Sequence, residues 1–150
     1  MKTKIKKLTN KLLEQDFSGF IETLSNLRPS NELTLDKAKE ILKQKKKFNS
    51  IVLVGLLDKK IVGTATIIIE PKFIANGGIT AHIEDLVVRK GYEGHHVGSM
   101  LMVKAIELAK ENNCYKAILD CKEHLISYYQ KFNFEKKAVN MKLYFYEDKL

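Results

Sequence analysis

Apolar positions along this chain follow two different periods. Phe17, Phe20, Ile21, Leu24 and Leu27 recur at three- and four-residue spacing, as on the buried face of a helix. Leu35, Ala38, Ile41 and Leu42 repeat that spacing behind Thr34, a residue suited to cap a helix start. Leu101, Ala105, Leu108 and Ala109 do so again in a helix predicted over Val97–Asn112, and a shorter helix is expected over Leu125–Phe132. Between these lie β-rich runs: Ile5–Leu8, Ile51–Leu57, Ile61–Glu70, His82–Val88, Lys116–Cys121 and Met141–Tyr146. Asp58–Lys59–Lys60 makes a tight polar turn that predicts a hairpin, while Pro71 and Gly77–Gly78 mark a loop. The order β-α-α-β-β-β-α-β-α-β describes an α/β (α+β) sheet domain with helices on its faces. No linker or repeat interrupts it, so residues 1–150 are expected to form one domain.

One junction carries candidate chemistry. His82–Met102 reads HIEDLVVRKGYEGHHVGSMLM: a strand, a turn with Gly91 and Gly94, then a helix with Gly98 in its first turn. First-turn N–H groups have no helical partners and make an anion cradle, and glycine lets a large ligand approach the backbone. A phosphate-bearing cofactor is the expectation. A Rossmann domain is disfavoured, because its glycine fingerprint follows an early strand in repeated βαβ units.

Composition narrows the partners. Charged residues make up 29% and hydrophobic ones 45%, which fits a folded globular chain. No apolar run approaches a membrane span, and the basic start MKTKIKKLTN lacks the apolar stretch of a secretory signal. A cytoplasmic address is expected. The net charge of +8 comes almost wholly from scattered lysines, with arginine only at 28 and 89. That pattern reads as a solvated surface that attracts phosphorylated ligands rather than as a nucleic-acid footprint. Cys114 and Cys121 flank an extended segment that spans about 23 Å, far beyond disulfide reach, so two free, buried thiols are expected. Neither the cysteines nor the histidines at 82, 95, 96 and 124 have zinc spacing, and no metal is expected.

Four ordered blocks, IIIEPKFI (Ile67–Ile74), HIEDLVV (His82–Val88), NCYKAILDC (Asn113–Cys121) and YYQKFNF (Tyr128–Phe134), give the chain after Ile51 a resemblance to the GNAT family of N-acetyltransferases. Within that family it looks like the enzymes acting on amino-sugar phosphates. The resemblance implies a mixed, mostly antiparallel, twisted sheet flanked by helices. It also implies direct transfer of acetyl from acetyl-CoA to glucosamine 6-phosphate in a ternary complex, on the route to UDP-N-acetylglucosamine. The backbone of Leu86, Val87 and Val88 would pair with the pantetheine arm, and Gly94, His95, His96, Val97, Gly98 and Ser99 would hold the pyrophosphate. Lys72, Phe73, Ile74, Glu84, Asp85, Tyr115, Lys116 and Asp120 would surround the sugar. Asp120 would orient the amine and help remove its proton, and Tyr129 would sit at the cofactor sulfur as acid. Tyr128 is adjacent, but motif spacing selects Tyr129. A homodimer covering or exchanging the C-terminal strand is also implied.

Departures from the family pattern bear on affinity and acceptor. Glu93 stands where arginine or glutamine begins the pyrophosphate signature, His96 replaces a glycine, and Leu125 replaces an asparagine. Tyr144 occupies the place of an arginine that reaches the sugar phosphate across a dimer, with Arg28 and Lys142 as candidate substitutes. The strand's alternation is expected to put Glu84 and Asp85 on opposite sides. Two other functions compete: acetylation of a peptide or polyamine amine, and a non-catalytic acetyl-CoA-binding module.

Overall fold

The computed structural model describes residues 2–146. One five-stranded sheet in the order β1-β2-β3-β4-β5 is built from Thr3–Lys7, Ser50–Leu57, Lys60–Pro71, Ile79–Val88 and Cys114–Ile118. The first three pairings are antiparallel and β4–β5 is parallel, so the sheet is mixed and mostly antiparallel as expected. Helices α1 (Asn10–Gln15), α2 (Phe17–Ser25) and α3 (Leu35–Lys47) cover one face. They bury Leu13, Phe20, Ala38 and Leu42 against Val52, Val54, Leu56 and Ile61. Thr34 caps α3 by accepting the Lys37 N–H at 3.2 Å. A single turn, α4 (Ile74–Gly77), closes the β3–β4 hairpin with left-handed backbone at Ala75, Asn76 and Gly77.

The other face is covered by α5 (Val97–Glu111), whose Leu101, Met102, Ala105 and Leu108 pack on Leu53, Val62, Ala65, Ile67, Ala81 and Ile83. Gly55 and Gly63 seat the start of this helix. A Cβ on either would lie 2.6 Å from Val97 Cγ1, so only glycine lets Val97 press onto the strands. A short 3-10 turn (Glu123–Leu125) leads into α6 (Ile126–Gln130).

Four expectations are corrected. An extra helix, α1, precedes the predicted first one, started by Thr9 accepting from Leu12 N–H. The fifth strand runs Cys114–Ile118 rather than Lys116–Cys121, because Asn113 makes its turn with φ +57° immediately before it. Asp120 and Cys121 therefore lie beyond the strand, and Cys121 is exposed rather than buried. No strand forms over Met141–Tyr146, which pairs with none of the five strands, and Met141, Leu143, Phe145 and Tyr146 are exposed.

Candidate active site

Two features of β4 open the site. Thr66 pairs with Glu84 and Thr64 with Val87, so Asp85 and Leu86 stand opposite the single residue Ala65. This is a β-bulge, with Asp85 at φ +51°. Strict alternation breaks at the acidic pair, leaving Glu84 half-buried and Asp85 exposed. The second feature is a gap. Pairing of β4 with β5 stops at His82–Ile118, yet β4 continues to Val88. On its other side the Arg89 N–H bonds the Val62 carbonyl of β3 at 2.7 Å. By alternation Val87 turns toward β3, while Leu86 and Val88 turn their amides to the gap. The Val88 carbonyl accepts from the Asn26 amide at 3.0 Å.

The gap leads to the cradle. Met100 N–H is the first to bond back in α5, to the His96 carbonyl at 2.9 Å, so Val97, Gly98 and Ser99 present N–H groups without helical partners. His96 holds the left-handed conformation, φ +58°, that its glycine counterpart would adopt without strain. Gly94, φ +85°, has open space where a Cβ would lie. Gly98 does not: a Cβ there would come within 3.0 Å of the Tyr128 hydroxyl and 3.4 Å of Val88 Cγ2, so its smallness serves packing. Glu93 folds back onto its own turn and accepts the Gly91 N–H at 2.7 Å. One oxygen of its carboxylate is thereby engaged by the backbone of its own turn. His95 is exposed and lies 6.3 Å from the Tyr92 ring. These N–H groups fit a polyphosphate of the kind acetyl-CoA carries.

Helices α1–α3 pack on β2 and β3, and α2 also reaches β4. Thr66, Ile68 and Glu70 of β3 stand in register with Glu84, His82 and Thr80 of β4, and Lys116 and Ile118 of β5 stand opposite Thr80 and His82. Burial holds the Glu84 carboxyl above the usual carboxylate range; Asp120 and Asp85 push it the same way, and His82 and Lys45 pull against them. Asp85 and Asp120 are thus both within electrostatic reach of Glu84. Asp120 accepts from the Asn140 amide at 2.7 Å. Lys116 sits 5.3 Å from the Tyr115 ring centre. Lys72 bonds Glu70 at 2.8 Å, whereas Phe73 and Ile74 project into solvent.

Sequence reasoning missed Glu70 and His82, whose side chains meet at 2.5 Å. Their joint signal was available only through the hairpin register. Cavities of about 360 and 390 Å³ flank α3, lined by Leu42 and Lys46.

Tyr129 is buried in the α5 core, with Tyr128 edge-on at 5.1 Å and Phe134 at 6.4 Å. Burial raises its phenol above the usual tyrosine range, and Tyr128 and Cys121 add to the shift. It therefore stays protonated, as a donor to a leaving thiolate must. Leu125 lies in the turn before α6 and is partly exposed.

Residues 11–134 match the acetyltransferase (GNAT) family. The chain belongs to the GNAT family. Among curated proteins it is similar to glucosamine 6-phosphate N-acetyltransferase 1 of Dictyostelium discoideum, 32% identical over 87% of this chain and 83% of that one. The glucosamine 6-phosphate N-acetyltransferase of Trypanosoma brucei brucei is 31% identical over 88% and 91%. In three dimensions it superposes on the crystal structure of glucosamine-6-phosphate N-acetyltransferase from Arabidopsis thaliana with a TM-score of 0.90, at 29% identity, over 97% of this chain and 99% of that one. GNAT acetyltransferases use acetyl-CoA as co-substrate, and this GNAT chain is an acyltransferase. Among the described residues no helix is long and apolar enough to cross a membrane.

Proposed function

We propose that this GNAT domain, residues 1–150, transfers acetyl from acetyl-CoA to the amine of glucosamine 6-phosphate, in a ternary complex, on the route to UDP-N-acetylglucosamine. The observation that supports this reading is the grouping of Glu84 with Asp85 and Asp120 along β4 beyond the point where its pairing with β5 ends. Acetyl transfer needs a neutral amine, a held oxyanion and a protonated leaving group. Asp120, steadied by Asn140, orients the ammonium, and Glu84, already reluctant to stay ionised, draws off its proton. The N–H groups of Leu86 and Val88 that face the gap are placed for the arm and the oxyanion. Tyr129 protonates the thiolate. Lys72 is tied to Glu70, so Lys116 is the better-placed cation for the sugar phosphate, with Tyr115 and the 72–74 segment forming the wall.

Acetyl-CoA-dependent thiol release should be rapid with glucosamine 6-phosphate and slow with glucosamine, glucosamine 1-phosphate and a lysine-rich peptide. Release only with another amine overturns the acceptor and keeps the chemistry. Binding of acetyl-CoA without release on any amine overturns the enzyme reading for a binding module. A cytoplasmic setting belongs to the proposal and is supported by two free thiols, Cys114 and Cys121.

The active unit is proposed to be a homodimer. Val139, Met141, Leu143 and Phe145 alternate along the C-terminal segment and are 79–90% exposed, while β5 ends the sheet with an open edge. An exposed apolar stripe and a bare edge of that kind invite pairing with a second copy. Light scattering should give twice the 17.2 kDa chain mass, and truncation after Lys137 should halve it; a monomeric mass for the full chain refutes this arrangement.

A further inference from the structure

Little backbone bonding holds the chain between β4 and α5. The Arg89 N–H bonds back to the sheet at Val62, and the Met100 N–H is the first to bond back in the helix. Among the described residues, the hydrogen bonds of 90–95 stay within their own turn: Tyr92 N–H to the Arg89 carbonyl at 3.0 Å and Gly91 N–H to Glu93 at 2.7 Å. Gly91 and Gly94 both take positive φ, with open space where a Cβ would lie. Ordering such a segment costs conformational entropy. Side chains supply the hold. Tyr92 packs against the α5 core, and the Arg89 guanidinium lies 5.4 Å from its ring centre, within cation–π range. The Arg89 Nη2 pairs with Glu22 of α2, while Asn26, just past α2, bonds the neighbouring Val88 carbonyl. Arg89 is not a solvated surface arginine. Its side chain is 16% exposed, and its Nε is buried with no hydrogen-bond partner among the described residues. A donor buried that way is costly, so the contacts with Glu22 and Tyr92 must outweigh that cost.

We propose that Arg89, clamped between Glu22 and Tyr92, is a positioning residue for acetyl-CoA: it fixes the loop that carries the chain into the phosphate cradle. This rests on the reading of Gly94–Ser99 as that cradle and not on which amine is the acceptor. Arg89 acts through Tyr92, the one side chain of the loop that is packed on the core. With the loop already ordered, the cofactor meets its N–H groups without having to organise them, and affinity rises by the ordering cost avoided. The clamp ties cofactor binding to α2, an element that lies outside the strand-and-glycine junction.

The test uses the full chain, whichever amine it acetylates, and two donors: acetyl-CoA and S-acetylpantetheine, which has the thioester and arm but no pyrophosphate. The unaltered chain should show a much higher kcat/KM with acetyl-CoA. Equal values would remove the cradle, and the clamp with it. Arg89→Met keeps an apolar stem beside Tyr92 and loses the charge. It should raise KM for acetyl-CoA about tenfold, the combined size of a cation–π contact and an ion pair. Its kcat, its acceptor KM and its kcat/KM with S-acetylpantetheine should stay in place. The calorimetric Kd for acetyl-CoA, which needs no acceptor, should rise by the same factor. Glu22→Gln changes an exposed side chain, so folding is not at stake. It should raise the same KM by a few-fold alone and add nothing in the Arg89→Met background. An unchanged acetyl-CoA KM in Glu22→Gln and Arg89→Met overturns the clamp, and so does an equal loss with both donors, which marks general damage. If Arg89→Met does not fold, Glu22→Gln decides by the same two criteria.

Discussion

Replacing Tyr129 with phenylalanine is expected to lower kcat by roughly 10²–10⁴-fold, the range for loss of a general acid, while both KM values stay in place. The substitution removes one oxygen. The ring keeps its edge-on contacts with Tyr128 and Phe134 and its place in the α5 core, so folding is not the cause of any loss. What disappears is a phenol that burial keeps protonated. Tyr128→Phe is the matched control, because the Tyr128 hydroxyl stands against Gly98 at the helix start rather than within the core. If single-turnover thiol release survives in Tyr129→Phe and fails in Tyr128→Phe, the two assignments must be exchanged.

Glu84→Gln should separate activity from stability in opposite directions. Loss of the proton acceptor is expected to lower kcat by on the order of 10²-fold or more. The same change should raise the melting temperature at neutral pH and leave it unaltered near pH 4. The folded carboxyl titrates above its ordinary value of 4.5, chiefly through burial. Below that value both states hold the proton and nothing is lost. As pH rises from 4.5 through the folded value, the unfolded chain releases its proton first, so the native state loses stability across that window. Glutamine removes that penalty. Equal melting shifts at both pH values would show that the variant acts through packing instead.

The periodic helices and the β2–β3 hairpin were legible because their signals are local: apolar spacing, the Thr34 cap and the Asp58–Lys60 turn. The cradle was legible for the same reason, since glycine and a following helix adjoin in sequence. The bulge was not. An aspartate, not a glycine, takes the left-handed position at 85, and no neighbouring residue announces it. Glu70 and His82 are twelve positions apart and meet only through register. The last strand was misread because alternation reports a surface that wants covering, and does not say whether its own chain supplies the cover. Asp120 was placed at a strand end because Leu119 continues the apolar run, yet pairing stops at Ile118.

The gap beside β4 has a consequence for how the sequence is free to vary. Where Ile83–Val88 lacks a neighbour strand, recognition falls to peptide groups, which every residue except proline supplies alike. Side chains along the loop toward α5, Glu93 and His96 among them, are therefore freer to vary without changing those peptide groups. Across the same strand the proposed acceptor side is lined by side chains, among them the carboxylates of Glu84 and Asp120, where one exchanged residue would alter what is read. The molecule thus divides into a half whose function is written in backbone and a half whose function is written in side chains. New acceptor preferences can arise in the second without disturbing the first.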